Sequence, residues 1–180
     1  MSQPAPHYHH LPAGSPFLGG LRAGASSVFA MVIFGSYVSI GAFAHDLGFS
    51  TVWLSVSTIL VWAAPAQVIV IASLAAGTTG VEIAIAVTLS AIRLLPMVVS
   101  VLPVIRAEET PLRSLILPTH LTAISVWIEA LRLAPGLPRP ARIPFMNGIG
   151  VVLMTVAVLG GLAGHVLAAI LPVVLVSAMQ

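Results

Sequence analysis

Residues 51–80 read TVWLSVSTILVWAAPAQVIVIASLAAGTTG. Thr51 to Ala64 and Val68 to Ala76 are apolar runs, and Pro65-Ala66-Gln67 stands between them. Neither half reaches the roughly 20 residues that a membrane-spanning helix needs. Proline removes a backbone donor and clashes with the carbonyl four residues earlier, so a helix here must kink or break near residues 62–64. Two architectures follow. One is a single kinked span of about 25 residues; the other is a pair of half-helices whose non-helical junction, placed at residues 64–68, lines a cavity or is buried in protein.

Composition settles the solvent. Of 180 residues, 58% are apolar and 7% charged, with a mean hydropathy of +1.09; a soluble domain carries roughly 25% charged residues. Seven arginines, no lysine and five acids cannot cover a water-facing surface, so the expected surroundings are a lipid bilayer. The net charge of +2 is spread without a basic run, and no nucleic acid is expected as a partner. With no cysteine, disulfides and thiolate metal sites are excluded. No metal-ligand spacing, nucleophile elbow or phosphate loop occurs, so neither an enzyme nor a cofactor is expected.

Toward the N-terminus, Ala23 to Phe43 is a full-length span bounded by Arg22 and by His45-Asp46, and its Gly24, Gly35 and Gly41 would admit a close neighbour. Residues 1–16 are rich in Pro, His, Ser and Gly and read as a disordered tail, with metal binding by His7, His9 and His10 as the alternative. Toward the C-terminus, Val81 to Val101 carries Arg93 deep within it and Pro96 just after. An arginine near the bilayer centre costs at least ~2.5–3.5 kcal/mol, so Arg93 should face the protein interior, a cavity or an acidic partner. Leu115 to Leu133 is a short run in which Glu129 and Arg132, at i and i+3, can pair locally. Pro135, Pro138, Pro140 and Pro144 make the next link an extended, semi-rigid connection. Phe145 to His165 is another span, and residues 167–179 repeat the pattern of an apolar stretch broken by one proline, Pro172. The fold expected is an all-α polytopic membrane protein, one domain over residues 17–180, with about five segments and proline-broken second and last helices.

Gly41-Ala-Phe-Ala-His45 and Gly161-Leu-Ala-Gly-His165 each close a long span. An internal repeat built on them would cover residues 17–103 and, incompletely, 145–180, a plan common in secondary transporters. The second copy would lack its counterpart of the Arg93 helix, and the chain would be shorter than a complete transporter subunit. Arg22 argues for a cytoplasmic N-terminus. Arg106 and Arg113 fall on the same side only if the second run is re-entrant.

At the broken second helix and the arginine-bearing third, the sequence resembles the AzlC family of branched-chain amino acid permeases. The matching stretches are Ala63-Ala64-Pro65-Ala66-Gln67, Ala91-Ile92-Arg93-Leu94-Leu95-Pro96, the lead-in from Gly41 to Gly48 and the tail Ala75-Ala76-Gly77. Gln67 and Arg93 are retained, whereas the family's Ser is Ala66, its Asn is Ala91, and an acidic pair is replaced by Thr119-His120. The resemblance implies secondary active efflux of branched-chain or similar amino acids, a small AzlD-like membrane subunit as partner, and residence in a bacterial-type inner membrane; a homo-oligomer is a further expectation. The substrate site would comprise Ala64, Pro65, Ala66 and Gln67 with the free amides of the half-helix, Arg93 as carboxylate ligand, and Glu129 or carbonyls freed by Pro65 for the ammonium. Against this stand two plainer readings. Gln67 and Arg93 would merely satisfy broken-helix carbonyls, or the chain would be a non-transporting accessory subunit.

Overall fold

The computed structural model describes residues 15–107 and 109–178, with side-chain surroundings through Leu171. The expected tail and its histidines lie outside the described residues. All the elements described are helical: α1 (Pro16–Ala25), α2 (Val28–Asp46), α3 (Thr51–Val61), α4 (Ala64–Ala75), α5 (Gly80–Ala91), α6 (Leu94–Ile105), α7 (Ile116–His120), α8 (Ile124–Leu133) and α9 (Arg139–Ala178), with 3-10 turns at Leu112–Leu115 and Ala134–Gly136.

The frame of the molecule is a pair of parallel layers. Gly20 packs on Phe145 and Gly148, Gly24 on Ile149 and Val152, Gly160 on Phe34, Gly164 on Val38, and Gly41 on Gly161 and His165. Numbers rise together on both sides, so α1 and α2 run alongside α9 in the same direction. In lipid no hydrophobic force drives two apolar helices together, and glycine lets the backbones approach until van der Waals contact holds them. The Gly41–His45 and Gly161–His165 stretches thus face each other. Their histidine rings meet edge to face, with centroids 5.0 Å apart, and His165 Nε2 donates to the Phe49 carbonyl at 2.8 Å. Leu54, Ile71, Met146, Ile149 and Leu153 fill the space between the frame and the remaining helices.

Most of the expected segments are interrupted. Val28–Asp46 and Arg139–Leu171 are long and apolar enough to cross a membrane, and α5 with α6, bent by 49° at their junction, makes a third crossing if counted as one span. The first run breaks at Ser26-Ser27 because serine satisfies helix ends: Ser26 Oγ donates to the Arg22 carbonyl, and Ser27 Oγ accepts from the Phe29 amide. The second run breaks as its proline requires, but at Trp62-Ala63; residues 64–68 are helical, since proline is tolerated in the first turn, where its missing N–H has no partner to lose. The run holding Arg93 breaks at Ile92-Arg93, and the run holding His120 breaks at residues 121–123. The proline-rich link is not extended: a 3-10 turn and the first turns of α9 take it up. The last helix is not broken either, for α9 continues through Pro172 to Ala178.

Candidate functional site

Three of these breaks meet. A cavity of about 260 Å³ is walled by α2 and by the junctions α3–α4, α5–α6 and α7–α8. The junctions contribute Trp62 to Pro65, Arg93 with Leu94, and Ala123 to Ser125, while Phe29, Val32, Ile33 and Tyr37 of α2 close the apolar side.

The α3–α4 and α7–α8 junctions hold each other in place. Trp62 has φ 39°, in the left-handed region that a bulky residue rarely adopts. Such a conformation costs on the order of 1–3 kcal/mol and persists only where the surroundings fix it. Here the Trp62 indole is buried and donates Nε1–H to the Leu121 carbonyl at 2.9 Å. His120 Nε2 lies 2.9 Å from the Ile59 carbonyl; a carbonyl only accepts, so that nitrogen carries the proton. Both contacts use carbonyls left over where a helix ends.

The helix starts at the cavity lack side-chain caps, as does the start of α7, whereas those of α1, α2, α3 and α5 have them. Ser15, Ser27 and Ser50 each accept from an amide in the first turn of α1, α2 and α3, and Thr79 forms a capping box with Glu82 at the start of α5. Ala63, Arg93 and Ala123, which precede α4, α6 and α8, make no side-chain cap bond. The first turns of α4 and α8 therefore keep amides without an intrahelical partner, and the positive ends of the helix dipoles gather at one place. α6 gives less through its backbone, because Leu95 N already donates to the Ile92 carbonyl and Pro96 has no N–H. Its contribution is Arg93. Two hydroxyls complete the lining: Tyr37 and Ser125 are buried, line the cavity, and find no hydrogen-bond partner among the described residues.

The residues singled out from sequence divide. Ala64, Pro65 and Arg93 line the cavity. Arg93 was expected to face the protein interior, a cavity or an acidic partner; it lies at the α5–α6 break among the residues that line the cavity, exposed and with no hydrogen bond or ion pair among the described residues. Ala66 and Gln67 are buried outside the lining. Gln67 Nε2 donates to Ser57 Oγ and Thr58 Oγ1, both at 2.9 Å, and those hydroxyls pass their own protons to the Leu54 carbonyl. The side chain thereby joins α4 to α3, with Oε1 unpartnered among the described residues. Ala123, Ser125 and Tyr37 were missed. No glycine or proline lies between Thr119 and Arg132 to announce a break.

Glu129 lies apart from the cavity lining. Its Oε2 takes Arg132 Nη2 at 2.6 Å and Nε at 3.1 Å, the local pair anticipated, and Oε1 accepts the Ser27 hydroxyl at 2.7 Å. It therefore ties α8 to the α1–α2 break. Glu129→Leu should cost about 1.5–3 kcal/mol, the worth of hydrogen bonds to a charged group, because Ser27 stays buried. Arg132→Leu should cost a comparable amount, because it leaves the buried Glu129 carboxylate with Ser27 as its one remaining partner among the described residues. Thermal unfolding of the two variants in detergent would show both losses.

Interrupted helices whose free ends surround a cavity within a membrane bundle are a plan common in secondary transporters. The profile of the AzlC protein family matches residues 28–171, and the chain belongs to that family. The family is associated with branched-chain amino acid transport and generally supplies a subunit that acts with a small partner. No curated protein and no solved structure matches the chain.

Proposed function

We propose that the chain is the transport subunit for branched-chain or similar hydrophobic amino acids, moving them outward across a bacterial-type inner membrane by secondary active transport with a small AzlD-like membrane subunit. The observation that carries this is the convergence of three interrupted helices, each uncapped at its N-terminal end, on one apolar cavity. Free amides of α4 and α8 and the Arg93 guanidinium suit a carboxylate. Phe29, Val32, Ile33 and Trp62 suit a branched side chain. The site differs from the one read from sequence: Ala64, Pro65 and Arg93 stay in it, Tyr37, Ala123 and Ser125 enter, and Ala66, Gln67 and Glu129 become structural.

Arg93→Ala tests the assignment. Arg93 is exposed and unpartnered among the described residues, so the variant should insert and fold with wild-type yield. Loss of a charge-assisted contact of about 1.5–3 kcal/mol should weaken leucine uptake into proteoliposomes, made with the small subunit, by roughly 10–100-fold. Wild-type uptake in this variant would remove Arg93 from the site.

A further inference from the structure

Resting on that placement of the site, we propose that the cavity recognises its ligand by carboxylate and branched apolar chain alone, and therefore takes branched 2-oxo acids and short branched carboxylates as well as amino acids.

The lining holds one cation, Arg93, and no acid. Glu129, the acid expected to serve the ammonium, is committed to Ser27 and Arg132 and does not reach the cavity lining. Backbone polarity points the same way. Each break has a carbonyl-bearing end and an amide-bearing end, and the lining falls mainly on the latter: Ala63 to Pro65 open α4, Arg93 and Leu94 open α6, and Ala123 to Ser125 open α8. At the opposite ends, the Ile59 and Leu121 carbonyls are already taken by His120 and Trp62. A bound ammonium would thus meet the positive ends of helices and a guanidinium with no carboxylate beside it, and would rely on neutral acceptors, the hydroxyls of Tyr37 and Ser125 and the carbonyls that end α3. A keto oxygen fits those hydroxyls better, because both can donate to it. Replacing the amino group by a keto group removes the unfavourable charge and keeps every favourable contact.

Proteoliposomes holding the chain with its small subunit would be loaded with labelled leucine or labelled 4-methyl-2-oxopentanoate. Efflux would be followed with unlabelled leucine, the oxo acid or 3-methylbutylamine outside. The oxo acid should move and should compete with leucine to within about tenfold of leucine itself, while the amine should not compete. Leucine moving without the oxo acid moving or competing would overturn the inference and leave the placement of the site intact. If neither solute moves, binding to the purified protein decides. Oxo-acid binding lost in Arg93→Ala supports the inference, and no binding of either solute overturns the placement of the site and this inference together.

Discussion

Gly164→Leu is expected to leave no folded protein after extraction, whereas Gly35→Leu is expected to behave as wild type. A Cβ at Gly164 would overlap the Val38 carbonyl, a backbone group that cannot rotate away, while one at Gly35 would meet nothing within 4 Å. The α2–α9 contact relies on such approaches at Gly41, Gly160 and Gly164, so a side chain at one of them separates the helices along their length. Overpacking costs typically about 1–3 kcal/mol where side chains can yield. Backbone that must yield costs more, against a total stability of roughly 5–15 kcal/mol. Monodisperse elution in detergent and the unfolding temperature would separate the two variants.

The second large effect has opposite signs in stability and transport. Ala123 precedes α8 with φ −122° and ψ 172°, the extended backbone of an N-cap position, and its side chain offers no acceptor. Ala123→Asp should stabilise the protein by about 1 kcal/mol, because the carboxylate can take the free amides of α8. The same carboxylate occupies the place proposed for the substrate's own, so leucine transport should fall by about 100-fold or more, a loss of some 2.7 kcal/mol of binding. A raised melting temperature with unchanged transport would show that the α8 amides do not serve the substrate.

Those two residues mark where the sequence was and was not legible. The glycine-histidine motifs at Gly41 and Gly161 were legible as a matched pair and were read as the mark of an internal repeat. That they pack on each other is a fact of three dimensions. Pro65 announced a break because its chemistry is local, although its tolerance in a first turn moved the junction to Trp62-Ala63. Pro96 gave the same kind of signal beside Arg93, and the run was nevertheless read as continuous. The α7–α8 break has no glycine or proline within it; Thr122 Oγ1 donates to the Pro118 carbonyl there, and Trp62, 59 residues away, donates to the Leu121 carbonyl. Gln67 looked functional because a polar side chain at a helix break often is. Its partners Ser57 and Thr58 come within reach only when α4 folds back.

The parallel run of α2 and α9 carries a consequence for sidedness. Two spans pointing the same way require the chain between them to recross the bilayer an odd number of times. The bent pair α5–α6 supplies one crossing, and α3–α4 and α7–α8, too short to span as single helices, then enter and leave by opposite faces. Arg106 and Arg113 follow α6, Arg132 ends α8, and Arg139 and Arg142 begin α9, where they bond the Arg106 and Val104 carbonyls. Arg22 lies toward the same end, beside the first half of α9. All the arginines but Arg93 therefore gather on one face, while Asp46 and Glu82 lie at the other. Cytoplasmic loops carry the excess of arginine, so the start of α9 is expected to face the cytoplasm and the α2–α3 and α4–α5 turns to face outward. The chain has no cysteine of its own, which makes the check direct. In intact cells a membrane-impermeant maleimide should label Glu82→Cys and should reach Arg113→Cys only after permeabilisation.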